Sequence, residues 1–131
     1  MRILVTFLGA ISDSELPSYY QAADLFVLPT LELEGFGLVT LEALACGTPV
    51  VGTPAGATPE ILNPLDFRLV AEDVTAEAIA RAVRGAVEQE LLAPAMRQRC
   101  RAYVENNYSW RSHVELHEKL YAECLARKGR I

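Results

Sequence analysis

The chain has 131 residues, of which 51% are hydrophobic and 22% charged, with a net charge of −5. That composition describes one globular domain and excludes a disordered chain. No apolar run reaches the roughly 18 residues that a membrane helix needs, and no basic stripe is present that would suit nucleic acid.

The charge is unevenly spread. Residues 1–66 contain one basic residue, Arg2, against eight acids, while the remainder carries eleven basic residues against nine acids. Cys46, Cys100 and Cys124 show no metal spacing and cannot all pair, which points to a reducing cytoplasm.

Taken in chain order, residues 3–8 read as a continuous apolar strand, β-branched and without the small-residue cleavage site of a secretory leader. Ser12 and Glu15 have capping-box spacing ahead of a short helix through "LPSYYQAA", where Pro17 falls in the tolerated first turn. Residues 25–29, "LFVLP", form a second strand that is apolar on both faces. A loop over 30–37 leads to a helix over about 38–46, which Gly47 can end in the left-handed conformation. "TPVVG" is the third strand, and this alternation predicts an α/β fold with a parallel sheet.

Further on, a glycine–proline loop enters a helical turn near Pro59, and "NPLDFRLVA" reads as a turn followed by a short strand. The next helix is amphipathic, with Ile79, Val83, Val87 and Leu91 on one side and a Glu77–Arg81 pair on the other. Pro94 opens another helix to about Glu105. Ser109 is placed to cap a last helix that Gly129 can stop, with Trp110 expected to pack the junction as core.

The chemistry concentrates in "ELEGFGLVTLEALACGTPVVG". In an open parallel sheet, ligands sit beyond the carboxyl ends of the strands, where the 30–37 loop falls. Gly35 and Gly37 allow a close approach to the main chain, and the helix starting at Leu38 aims free N–H groups and its positive dipole end at the same place. Glu42 has no cation three or four residues further on. Two readings fit the residues alone. Both carboxylates meet neutral donors such as ribose hydroxyls, or Glu34 is a solvated loop residue and Glu42 the one wet point of a half-exposed helix.

His113 and His117 lie four apart without a third ligand, which reads as a helix face rather than a metal site. Cys46 reads as a small buried thiol rather than a nucleophile, since no histidine occurs before His113.

The stretch "LPTLELEGFGLVTLEALACGTPVVGTPAGATPEIL" resembles the donor-binding half of retaining GT-B glycosyltransferases, the glycosyl transferases group 1 superfamily. Their signature is two glutamates separated by seven residues, matched by Glu34 and Glu42. The likeness runs over about residues 5–84, and more loosely through "YSW". It implies a Rossmann-like sheet flanked by helices, with 1–131 as one partial nucleotide-sugar-binding domain and 94–131 as a C-terminal helical extension.

The resemblance further implies that Glu42 grips the ribose of a nucleotide sugar. Glu34, as the catalytic residue, would hold the sugar hydroxyls and distal phosphate with Gly35, Phe36, Gly37 and Leu38, and Gly56 and Glu60 would line the neighbouring loop. The donor is then a substrate, with no cofactor and no metal, and the acceptor is undefined. The protein would be cytoplasmic or peripheral to the inner face of the membrane.

The family's first domain is expected to be missing, as are the first strands of its second, with the Arg and Lys that neutralise the diphosphate, so this polypeptide alone would be weak or inert. "NPLDFRLVAED" departs from the family's Gly-Leu-Leu turn, which affects the outer edge of the donor pocket. The alternative is a truncated non-catalytic nucleotide-binding or assembly module that needs a separate N-terminal domain or forms a homodimer through its sheet edge.

Overall fold

A parallel pair of strands organises the chain: β1 (Phe26–Leu28) lies beside β2 (Val50–Gly52), with Phe26 opposite Val50 and Leu28 opposite Gly52. The computed structural model describes residues 4–32 and 35–128. Helix α1 (Leu16–Ala22) precedes β1, and α2 (Leu38–Ala45) makes the crossover to β2. Then come α3 (Thr58–Asp66), a 3₁₀ turn (Phe67–Leu69), α4 (Ala76–Glu88), α5 (Pro94–Asn107) and α6 (Trp110–Lys128).

The core lies where β2, α2, α3 and α5 meet. Leu44, Val50, Val51, Ile61, Leu62, Leu69 and Cys100 are all buried there. Gly52 allows the closest approach, since a Cβ at this position would lie 2.4 Å from Thr58 Cγ2. Gly47 ends α2 with φ of 80°, the left-handed conformation expected of it. Arg97 in α5 donates to the carbonyls of Gln21 and Ala23, both at 2.9 Å, and so fastens the end of α1.

Several local expectations are corrected. Residues 4–8 form no strand and stand exposed, Phe7 at 94%. Among the described residues their apolar pattern pairs with no strand, and β1 itself is only half-buried. Ser12 donates to the Glu15 carboxylate at 2.5 Å instead of capping a backbone N–H.

Helix α3 continues through Pro64, and the strand expected after it shrinks to one bridge, Val70 beside Gly52. Asp66 explains the sharp stop. It accepts from Arg68 Nε at 2.8 Å, Nη2 at 2.6 Å and the backbone N at 3.1 Å.

Helix α4 buries Ala78 and Ala86, whereas Val87 is 58% exposed. Val83 packs against the core and Leu91, just beyond the helix, is buried in it, so the predicted face holds apart from Val87. Arg81 pairs with Glu72 at 3.2 Å, so the expected partner Glu77 is replaced by a residue outside the helix.

Ser109 does cap α6, accepting from Ser112 N at 3.2 Å. Trp110, expected in the core, is 83% exposed, and Val114, Leu120, Tyr121 and Leu125 are exposed along the same helix. Among the described residues no helix is long and apolar enough to cross a membrane. Arg2 and Gly129 lie outside the described residues.

Candidate functional site

Beyond the carboxyl ends of the strands lie residues 29–32 after β1, with 35–37 ahead of α2, and residues 53–57 after β2. Thr53 Oγ1 ties them together by donating to the Thr30 carbonyl at 2.6 Å. The first loop ends at Gly37, whose φ of 76° and ψ of 43° would strain any residue with a Cβ. From there α2 begins, with the Gly37 carbonyl accepting from Thr40 N at 2.9 Å. The N–H groups ahead of that first bond have no intrahelical partner, as at every helix start. Gly35 is open on its Cα side, with nothing within 4 Å of a Cβ placed there.

Glu42 is exposed on the second turn of α2, while Thr40, Leu41, Ala43 and Leu44 are buried. Among the described residues it enters no ion pair, and its one hydrogen bond comes from the Tyr20 hydroxyl, 3.4 Å from Oε2. Burial and then the Glu42 carboxylate hold the Tyr20 phenol above its usual 10.0. Thr40 Oγ1 is buried without a hydrogen-bond partner among the described residues.

Cys46 follows on the same helix side as Glu42. Burial pushes its thiol up, Arg101 opposes that, and Glu42 adds to it, so nothing here activates a nucleophile. Its thiol is half-buried rather than fully buried.

A hollow of about 530 Å³ opens beside Glu42 between α2, α5 and the start of α6. Phe36, Leu38, Leu41, Tyr108, Trp110 and Leu116 make its walls largely apolar, and Asn107 and His113 add polar groups. Phe36 meets Tyr108 edge to face at 6.3 Å, joining the glycine loop to the end of α5. Trp110 therefore lines a hollow instead of filling the junction.

Of the residues singled out from sequence, Phe36, Leu38 and Glu42 share this hollow, and Gly37 starts the helix that carries two of them. Gly56, with φ of 54°, and Glu60, in the first turn of α3, are exposed at the neighbouring loop and do not line the hollow. Glu34 lies outside the described residues. Tyr20 was missed because its link to Glu42 spans 22 positions. Only the folded βαβ crossover brings the two helices together.

The rings of His113 and His117 lie with centroids 4.2 Å apart and planes tilted by 46°, and His117 Nδ1 is 2.9 Å from the His113 carbonyl. No cluster of three metal-ligating residues occurs among the described residues.

The family model described as "Glycosyl transferases group 1" matches residues 2–108. A GDP-mannose-dependent alpha-(1-6)-phosphatidylinositol monomannoside mannosyltransferase of Mycolicibacterium smegmatis is 34% identical over 95% of this chain and 35% of its own length. A D-inositol 3-phosphate glycosyltransferase of Corynebacterium jeikeium is 35% identical over 91% of this chain and 28% of its own.

Among solved structures, a sucrose-phosphate synthase from Thermosynechococcus elongatus superposes with a TM-score of 0.76 and 30% identity. It covers 93% of this chain and 30% of that one. The Rossmann-like half of a GT-B fold expected from sequence is thus borne out. The chain spans about a third of the length of the curated relatives it matches. It belongs to the glycosyl transferases group 1 family.

Proposed function

We propose that this chain is the donor-binding portion of a retaining glycosyltransferase that takes a nucleotide-diphosphate sugar. The observation that carries the reading is Glu42: an exposed carboxylate beside a glycine loop and a helix start, with a neutral hydroxyl as its one hydrogen-bond donor among the described residues. Such a carboxylate accepts well from a pair of sugar hydroxyls, and charge-assisted hydrogen bonds are the stronger kind.

In this reading Glu42 holds the ribose. Glu34 and the main chain of Gly35, Phe36, Gly37 and Leu38 face the transferred sugar and distal phosphate, with Glu34 as the catalytic residue. Gly56 and Glu60 border the site from the next loop. Transfer breaks the bond between the anomeric carbon and the diphosphate, so negative charge builds on the leaving oxygen, and N–H groups at the start of α2 face that charge. No resident cofactor or metal enters the scheme.

Relatives named as GDP-mannose-dependent make GDP-mannose the first donor to try. Calorimetric titration of the chain with GDP-mannose, GDP and UDP tests the proposal. Heat of binding with a guanine nucleotide supports it, and silence with every nucleotide at millimolar concentration rejects it.

A second reading is favoured by the exposed apolar residues of α6 and of residues 4–8. In it the chain is an assembly module that works only with a separate N-terminal domain, or pairs with a second copy. Silent titrations together with association in solution would select that reading. Cytoplasmic placement belongs to this proposal as well.

A further inference from the structure

Tyr20 is held by its ring and by the backbone around it. It is buried, and Phe26 of β1 meets it edge-on at 5.4 Å and 85°. Its own carbonyl accepts from Thr48 Oγ1 at 2.5 Å, just ahead of β2. The carbonyls of Gln21 and Ala23, on either side of the end of α1, are held by Arg97 of α5. The backbone at Tyr20 is therefore pinned by α5 and by the segment ahead of β2, while its ring packs on β1.

Glu42 is the opposite case. It is a long exposed side chain with no ion pair among the described residues, and free to take several rotamers unless something selects one. The Tyr20 hydroxyl is the donor that reaches it, at Oε2.

We infer that Tyr20 is a positioning residue for donor binding: its hydroxyl holds Glu42 Oε2 and leaves Oε1 to accept from the ribose. The assignment rests on the reading of Glu42 as the ribose ligand. A neutral phenol suits this task better than a lysine would. It orients the carboxylate without neutralising it, so the charge still strengthens the hydrogen bonds to the ligand.

Tyr20→Phe keeps the ring and its Phe26 contact and removes only the hydroxyl. In protein labelled with ¹³C at the tyrosine ζ carbons, Glu42→Gln shifts the Tyr20 resonance and lowers the pH at which that phenol ionises, while exposed Tyr121 stays put. An unmoved Tyr20 resonance overturns the contact.

In nucleotide titrations Tyr20→Phe weakens GDP by about threefold to tenfold, leaves 2′,3′-dideoxy-GDP unchanged, and adds nothing in a Glu42→Gln background. Wild-type affinity for GDP in Tyr20→Phe overturns the assignment. So does an equal loss for both nucleotides, which marks a merely structural role. A wild-type chain that binds no GDP rejects the ribose reading itself, and the assignment falls with it.

Discussion

Thr48 and Tyr20 are joined across 28 positions by a buried hydrogen bond of 2.5 Å, from the threonine hydroxyl to the tyrosine carbonyl. Thr40, on α2, is equally buried, yet its hydroxyl has no partner among the described residues. The same substitution should therefore have opposite signs at the two positions. Thr48→Val leaves the Tyr20 carbonyl only its bond from Ala23 N, at 3.1 Å, and should cost about 1 kcal/mol, whereas Thr40→Val should be neutral or stabilising by about 1 kcal/mol. Urea unfolding of the two variants beside the wild type checks both signs.

Asp66 predicts an acid-sensitive component of stability. Its hydrogen bonds from the Arg68 side chain hold its carboxyl below the usual 3.8, against the opposing effect of burial. A depressed folded-state value means the stabilisation is present above the unfolded pKa and is lost as pH falls through the folded one. Asp66→Asn should thus lower the urea midpoint at pH 7, and the gap to wild type should narrow below about pH 4. A gap that stays constant between pH 7 and pH 3 contradicts the ion pair.

The close approach at Gly52 gives a third expectation. A methyl group there collides with Thr58 Cγ2, so Gly52→Ala should destabilise by about 1–3 kcal/mol. Thr58→Ser removes the offending methyl. The double variant should recover part of the loss, which a double-mutant cycle measures.

Much of this architecture was legible in the sequence because its signals are local. The apolar run of "LFVLP", the stop at Gly47, the cap at Ser109 and the glycine at the start of α2 each act within a few residues. What escaped depends on distant partners. Residues 4–8 have strand chemistry but, among the described residues, no strand beside them, and Trp110 has core chemistry but no core to enter. Along α4 the predicted face holds at Val83 and at Leu91 beyond it, while Val87 stays exposed and Ala78 and Ala86 are buried instead. Glu42 was visible as an unanswered carboxylate, while Tyr20 became its donor only through the crossover.

Thiol chemistry separates the three cysteines. Cys124 is exposed, Cys46 is half-buried with a raised pKa, and burial pushes Cys100 up to about 11. Alkylation at pH 8 followed by peptide mapping should find Cys124 modified first and Cys46 later, with Cys100 modified only on unfolding.

The exposure of Trp110 is checked as simply. Trp110→Ala should shift stability by less than about 0.5 kcal/mol, the usual range for a surface site. A loss of about 3 kcal/mol or more, as for a core tryptophan, would restore the packing role expected from sequence.

The most direct test of the ribose reading is the affinity of wild type and Glu42→Gln for GDP and for 2′,3′-dideoxy-GDP. The account predicts a loss of about tenfold or more for GDP on substitution and none for the analogue that lacks the hydroxyls. Unchanged GDP affinity in Glu42→Gln would contradict it.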